Sequence, residues 1–171
     1  AKLGLGVYLV LRGSENSELE GNYFFDKLLG AKIRFVTAEE YNNKRMEIME
    51  EIKNELAKEG HKAYIIPEGA SNGVGALGYC KAMEEVLNQE KELGIKFDAI
   101  AVAVGSAGTY AGLYYVNHIK KNNAVIYGIN VCNDADYFKN RVLELFKEIS
   151  VYTGEEIYVD KEDIDIVDGY V

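Results

Sequence analysis

The segment Val104-Gly-Ser-Ala-Gly-Thr109 carries residues small enough for a ligand to touch main chain, and it leaves an apolar run to enter a helical pattern. A helix start presents unpaired N–H groups and the positive end of its dipole, and the hydroxyls of Ser106 and Thr109 add donors. That combination suits one phosphate group without a metal. No Gly-Lys-Ser/Thr follows, so a P-loop for a Mg-nucleotide is not expected. Gly105, Gly108 and Gly112 are also wrongly spaced for the dinucleotide fingerprint. The competing explanation is a tight strand-to-helix turn that needs glycines for geometry alone. A second small-residue segment, Gly69-Ala-Ser-Asn-Gly-Val-Gly75, offers Ser71 or Asn72 as a helix cap or as a ligand contact. Hydrolytic catalysis finds no support. The two histidines, His61 before a strand and His118 inside a helix, complete no Ser/His/Asp or Cys/His constellation, and acidic pairs such as Glu84-Glu85 fall on solvent-facing helix positions.

These loops need elements to hold them, and the composition supplies the material. Of 171 residues, 48% are hydrophobic and 27% charged, enough for a packed core in one or two α/β domains. Twenty-eight acidic residues against 19 basic leave a net charge of −9, which disfavours nucleic acid as a partner because that binding rests on surplus Lys and Arg. No apolar run approaches the roughly 20 residues of a membrane span, and no targeting pattern opens the chain. A cytoplasmic protein is expected. Cys80 and Cys132 sit singly in apolar surroundings, which predicts two buried free thiols and neither a disulfide nor a metal site. Thirteen tyrosines against six phenylalanines fit packing with polar tips rather than an aromatic cage.

Strand-length apolar runs alternate with helical patterns, the signature of βαβ units on a parallel sheet. Strands are predicted at Val7–Leu11, Ile33–Val36, Ala63–Pro67, Ala99–Val104 and Val125–Val131. Helices are predicted at 22–29, 42–59, 76–93, from Gly105-Ser-Ala-Gly-Thr109 to about Lys121, and at 136–149, the last capped by Asp134 or Asp136. The fourth run lacks polar alternation, as a strand covered on both faces would. The fold class is therefore α/β with a doubly wound, mostly parallel sheet, whose ligands belong at the carboxyl ends of its strands. Ala1–Gly6 looks like the last turn of a helix with nothing before it, and Ile164–Val171 like a strand entering a turn, so a piece of a longer chain is expected.

Leu9-Val-Leu-Arg-Gly13, Gly21-Asn22, Leu28-Leu-Gly-Ala31, Ile33-Arg-Phe-Val36, Ile66-Pro-Glu-Gly-Ala-Ser-Asn72, Gly75–Tyr79 and Val104-Gly-Ser-Ala-Gly-Thr109 with Ala111-Gly112 follow one another in a telling order. Over nearly the whole chain they resemble the D-cysteine desulfhydrase and 1-aminocyclopropane-1-carboxylate deaminase family. These are fold type II pyridoxal-phosphate enzymes, similar to the tryptophan synthase β subunit. The resemblance implies pyridoxal 5'-phosphate as cofactor, held at its phosphate by Gly105, Ser106, Ala107, Gly108 and Thr109, with Ser71 and Asn72 nearby. It implies a smaller domain containing residues 1–69 and a larger, cofactor-binding domain containing 70–171. Ala70 departs from the family's Gly-Gly-Ser-Asn.

The family's Schiff-base lysine lies in a Gly-Asn-Lys motif, and that motif is absent from this sequence, as is a Ser-Asn-His or Ser-Asn-Gln. The expectation is the middle portion of a lyase or deaminase, incomplete at both ends and inactive by itself. The intact enzyme is expected to be a homo-oligomer acting on a small amino acid, by β-elimination or ring opening to an α-keto acid and ammonia. The alternative is a stand-alone module that binds a phosphorylated metabolite in its glycine-rich cup.

Overall fold

A computed structural model describes residues 3–170 and divides the chain into two compact units, Ala1–Ile65 and Ile66–Val171. The expected division after residue 69 lies inside the second unit. The helical turn read at Ala1–Gly6 falls partly outside the described residues, as does Val171.

In the first unit β1 (Tyr8–Arg12) and β2 (Lys32–Val36) pair in parallel, Tyr8 opposite Lys32 and Arg12 opposite Val36. A parallel pair needs a crossover, and α1 (Gly21–Leu28) lies in it. The long helix α2 (Ala38–Lys58) starts earlier than expected because Thr37 and Glu40 form a capping box. The Thr37 hydroxyl accepts the Glu40 N–H at 3.2 Å, while the Glu40 carboxylate accepts the Thr37 N–H at 2.9 Å. Hydrogen bonds from the Thr37 backbone and hydroxyl hold the Glu40 carboxyl below its ordinary pKa. Ile48 and Ile52 of α2 pack with Val10 and Val36 in a small core. By contrast α1 buries no residue, and the apolar stripe Phe24, Phe25, Leu28 and Leu29 is exposed.

The second unit opens with α3 (Gly73–Leu93), followed by β3 (Ala99–Val104), α4 (Gly108–Ile119), β4 (Val125–Asn130), α5 (Ala135–Thr153) and the short β5 (Ile166–Val167). Its sheet is parallel with order β3-β4-β5, and Val104 stands opposite Asn130. The three helices meet in one core around Met83, Tyr110, Phe138, Leu145 and Ile149. Asp134 caps α5, accepting the Tyr137 N–H at 2.7 Å, and Asn72, not Ser71, caps α3 through the Gly75 N–H at 2.9 Å.

The fold is α/β with parallel sheets, as expected, but the strands are shared between two sheets rather than one. Ala63–Pro67 forms no ladder. An apolar run becomes a strand only where a partner accepts its hydrogen bonds, and here Tyr64 and Ile66 are 69% and 63% exposed. Nor is β3 covered on both faces. The face bearing Ile126 and Gly128 of β4 joins the core, whereas Ala101, Ala103 and Tyr127 on the other face are exposed. Its lack of polar alternation marks a face built for apolar contact that these helices do not provide. Among the described residues no helix is long and apolar enough to cross a membrane.

Cys80 is buried as expected, and Cys132 is exposed instead. Burial, reinforced by the Glu84 charge, pushes the Cys80 thiol up to about 11. Because the folded value exceeds the ordinary 9.0, the stability linked to this thiol is complete below pH 9 and fades as pH rises through about 11. At pH 8, iodoacetamide is expected to label Cys132 at least ~100-fold faster than Cys80, with peptide mass mapping as the measurement. Equal rates would show that α3 does not shield Cys80.

Candidate functional site

Three helices of the second unit begin next to the carboxyl ends of strands or on the loop beside them, and their N-termini are treated differently. At α3, Glu148 on α5 accepts the Gly73 N–H at 2.7 Å and Asn72 accepts that of Gly75. At α5, Asp134 accepts from Tyr137, and Asp168 accepts the Ala135 N–H at 3.1 Å. Both starts are thus met by carboxylates of the chain itself. At α4 no carboxylate arrives among the described residues. The Gly108 N–H donates to the neutral Ser71 hydroxyl at 3.1 Å, and the first turn of α4 has no side-chain cap of its own. The N–H groups of Thr109 and Tyr110 lie in that first turn, where no intrahelical acceptor exists. An uncompensated dipole end with neutral donors is what an external anion completes.

The loop preceding α4 is shaped for close approach. Ala107 takes a left-handed φ of 68°, and facing it Gly69 and Ala70 take 66° and 49°. Two alanines in this region store strain that a glycine would relieve, so the Gly-Gly form of the second loop has a physical reason at position 70. A Cβ on Gly69 would stand 2.5 Å from the Ser106 hydroxyl, so a larger residue there would push that hydroxyl aside as well as strain φ. Gly105 is exposed, with only Val131 touching an added Cβ at 3.4 Å, so its main chain is open to a ligand.

Ser71 and Ser106 are brought together, their hydroxyl oxygens 2.7 Å apart. Ser71 accepts from Gly108 and donates to Ser106, which leaves the Ser106 hydroxyl hydrogen free to point outward. Thr109 is half-buried beside it in the first turn of α4. The Asn72 carboxamide oxygen caps α3 through the Gly75 N–H.

Sequence reasoning missed the supports behind these residues. Arg141 of α5 donates to the Ser71 carbonyl at 2.9 Å and pairs with Glu144 at 2.8 Å and Glu148 at 3.0 Å. Burial opposes its charge, and the two carboxylates more than offset this, so its pKa lies above the ordinary arginine value. Asn130, at the end of β4, donates to Asp168 at 2.6 Å and accepts from Cys132 N–H at 2.9 Å, fixing the loop beside Gly105. The only local signal for Arg141 and Glu148 was a seven-residue spacing that puts both on one helix face. A separate cleft of about 630 Å3, lined in part by Lys91, Lys96, Lys120 and Lys121, lies at the opposite ends of α3 and α4 and touches none of these loop residues.

Parallel sheets with a glycine loop feeding a helix whose start meets no carboxylate among the described residues define an α/β protein with a candidate anion site. The chain belongs to the pyridoxal-phosphate dependent enzyme family, whose family model matches residues 1–171. A protein of Pyrococcus abyssi with a provisional 1-aminocyclopropane-1-carboxylate deaminase name is 40% identical over 160 residues, covering 94% of this chain and 48% of its own length. The mitochondrial bifunctional D-cysteine desulfhydrase/1-aminocyclopropane-1-carboxylate deaminase of Arabidopsis thaliana is 39% identical over 145 residues, 80% of this chain and 36% of its own. The crystal structure of an ACC deaminase homologue superposes with a TM-score of 0.81 at 38% identity, covering 96% of this chain and 48% of that one. A threonine deaminase crystal structure shares the fold, with a TM-score of 0.56 at 18% identity over 93% of this chain and 44% of that one. The chain spans about half the length of the curated relatives it matches.

The residues at the α4 start fit the phosphate of pyridoxal phosphate: main-chain donors, two hydroxyls, an open glycine and, among the described residues, no competing carboxylate.

Proposed function

We propose that this chain is the cofactor-holding middle portion of a pyridoxal-phosphate lyase or deaminase. The proposed substrate is D-cysteine or 1-aminocyclopropane-1-carboxylate, converted by β-elimination or ring opening to an α-keto acid and ammonia. The observation that carries this reading is the α4 N-terminus, the one start of the three not met by the chain's own carboxylates. The name of the Arabidopsis relative supports the substrate class.

In this reading Gly105, Ser106, Ala107, Gly108 and Thr109 hold the cofactor phosphate with main-chain N–H groups and hydroxyls, and Ser71 orients Ser106. Asn72 holds α3 in place beside them. When bound, the cofactor supplies the electron sink for chemistry at the substrate Cα. The chain's own contribution is to anchor and orient that ring. The Schiff-base lysine, which exchanges the Cα proton, belongs to a Gly-Asn-Lys motif that this sequence lacks. Residues 1–69 fall to the smaller domain of the intact enzyme and 70–171 to the larger. The exposed sheet face of Ala101, Ala103 and Tyr127 and the exposed stripe of α1 are surfaces for the remaining portion or for a second subunit of a cytoplasmic homo-oligomer.

The 171-residue chain, saturated with pyridoxal phosphate, is expected to release no sulfide from D-cysteine and no ammonia from 1-aminocyclopropane-1-carboxylate above the rate of free cofactor. Turnover above that rate would contradict the assignment of the essential lysine elsewhere. Because the cup is built wholly from one unit, a stand-alone phosphate-metabolite module is the second reading. It predicts that simple sugar phosphates bind as tightly as pyridoxal phosphate.

A further inference from the structure

Ser71, 7% exposed, is held from behind by Arg141, which is itself paired with Glu148. Arg141 donates from Nη2 to the Ser71 carbonyl at 2.9 Å and from Nη1 to Glu148 Oε1 at 3.0 Å. The other oxygen of Glu148 accepts the Gly73 N–H at 2.7 Å. The pair therefore grips the chain on both sides of Asn72, by the carbonyl before it and the N–H after it. In front, the hydrogen bonds run in one direction: Gly108 N–H to Ser71 Oγ, and Ser71 hydroxyl to Ser106 Oγ. That polarity leaves the Ser106 proton available to a bound anion, and each bond polarises the next.

Arg141 is the only arginine in residues 66–171 and so the only fork that could grip a phosphate there, yet its guanidinium is committed to one carbonyl and two carboxylates. Its charge is offset by Glu144 and Glu148 where they meet it. We infer that Arg141 is a positioning residue: with Glu148 it fixes the Ser71 loop so that the Ser71 hydroxyl aligns Gly108 and Ser106 for an anion, and it contributes fork geometry rather than charge. This rests on the reading of the α4 start as the phosphate site.

Lysine keeps the charge and cannot make the fork, so Arg141→Lys and Arg141→Gln separate the two roles. In the 171-residue chain both variants are expected to bind pyridoxal phosphate ~10-fold more weakly, within about twofold of each other. The Gly108 amide is expected to exchange with deuterium ~10-fold faster in both, while β3 amides keep their protection. Wild-type affinity in Arg141→Lys would overturn the inference in favour of a charge role. Unchanged Gly108 exchange in both variants would overturn it altogether. Should the arginine variants fail to fold, Glu148→Gln, which retains an acceptor for Gly73 but loses the ion pair, is expected to raise Gly108 exchange ~3-fold, and no rise overturns the inference. If the unmodified chain shows no affinity for pyridoxal phosphate, the functional reading fails, and the exchange measurements still decide the role of Arg141.

Discussion

Gly108→Asp is expected to abolish pyridoxal phosphate binding by the chain, weakening it at least ~100-fold. A Cβ at Gly108 would stand 2.6 Å from the Ser71 hydroxyl and 3.3 Å from the Ser71 Cα, so any side chain displaces the hydroxyl that orders the loop. Aspartate adds a negative charge at the site of the phosphate. At an effective dielectric near 20, each pair of like charges about 5 Å apart costs roughly 3 kcal/mol, which is on the order of 100-fold in affinity. Gly108→Ala carries the steric change without the charge and should lose only ~10-fold. Titration calorimetry with pyridoxal phosphate measures both. Equal losses in the two variants would mean that steric disorder, not an anion site, explains the effect.

A large effect on stability is expected at Gly112. There α4 crosses α3 so closely that an added Cβ would lie 2.5 Å from the Ala76 carbonyl, 2.7 Å from the Tyr79 Cβ and 3.0 Å from the Cys80 nitrogen. Two of those atoms are backbone and cannot step aside without moving a helix. Gly112→Val is expected to cost about 3 kcal/mol or more, a large fraction of the roughly 5–15 kcal/mol that holds a domain folded. Gly78, on the exposed side of the same α3, has nothing within 4 Å of an added Cβ. Gly78→Ala should therefore stabilise by about 0.5–1 kcal/mol through helix propensity. Urea unfolding followed by far-UV circular dichroism measures both, and a Gly112 variant as stable as the parent would contradict the close crossing.

Particular residues show where the sequence sufficed. The glycine loop between β3 and α4 was legible because small residues, a strand and a helix start adjoin within a few positions, so the chemistry is local. The caps of α3 and α5 were each legible as one of two residues, Ser71 or Asn72 and Asp134 or Asp136, since a cap contacts main chain only three residues on. The Thr37–Glu40 capping box was equally local and was overlooked because the apolar stripe of α2 begins only later in the helix. What failed were properties that depend on a distant partner. Ala63–Pro67 has strand composition but finds no ladder, Cys132 lies in an apolar run yet faces solvent, and β3 has one uncovered face. Arg141 stands 70 residues from the carbonyl it holds, and no spacing rule connects them.

The central claim is that the start of α4 holds the cofactor phosphate. It is tested most directly by titrating the 15N-labelled chain with pyridoxal phosphate and, in parallel, with pyridoxal, which has the ring but no phosphate. Saturable amide shifts confined to Gly105–Tyr110 and the Ser71 loop, seen with pyridoxal phosphate and absent with pyridoxal, are the expected result. Equal shifts with both ligands, or shifts gathered instead around Lys120 and Lys121 at the far ends of the helices, would contradict it.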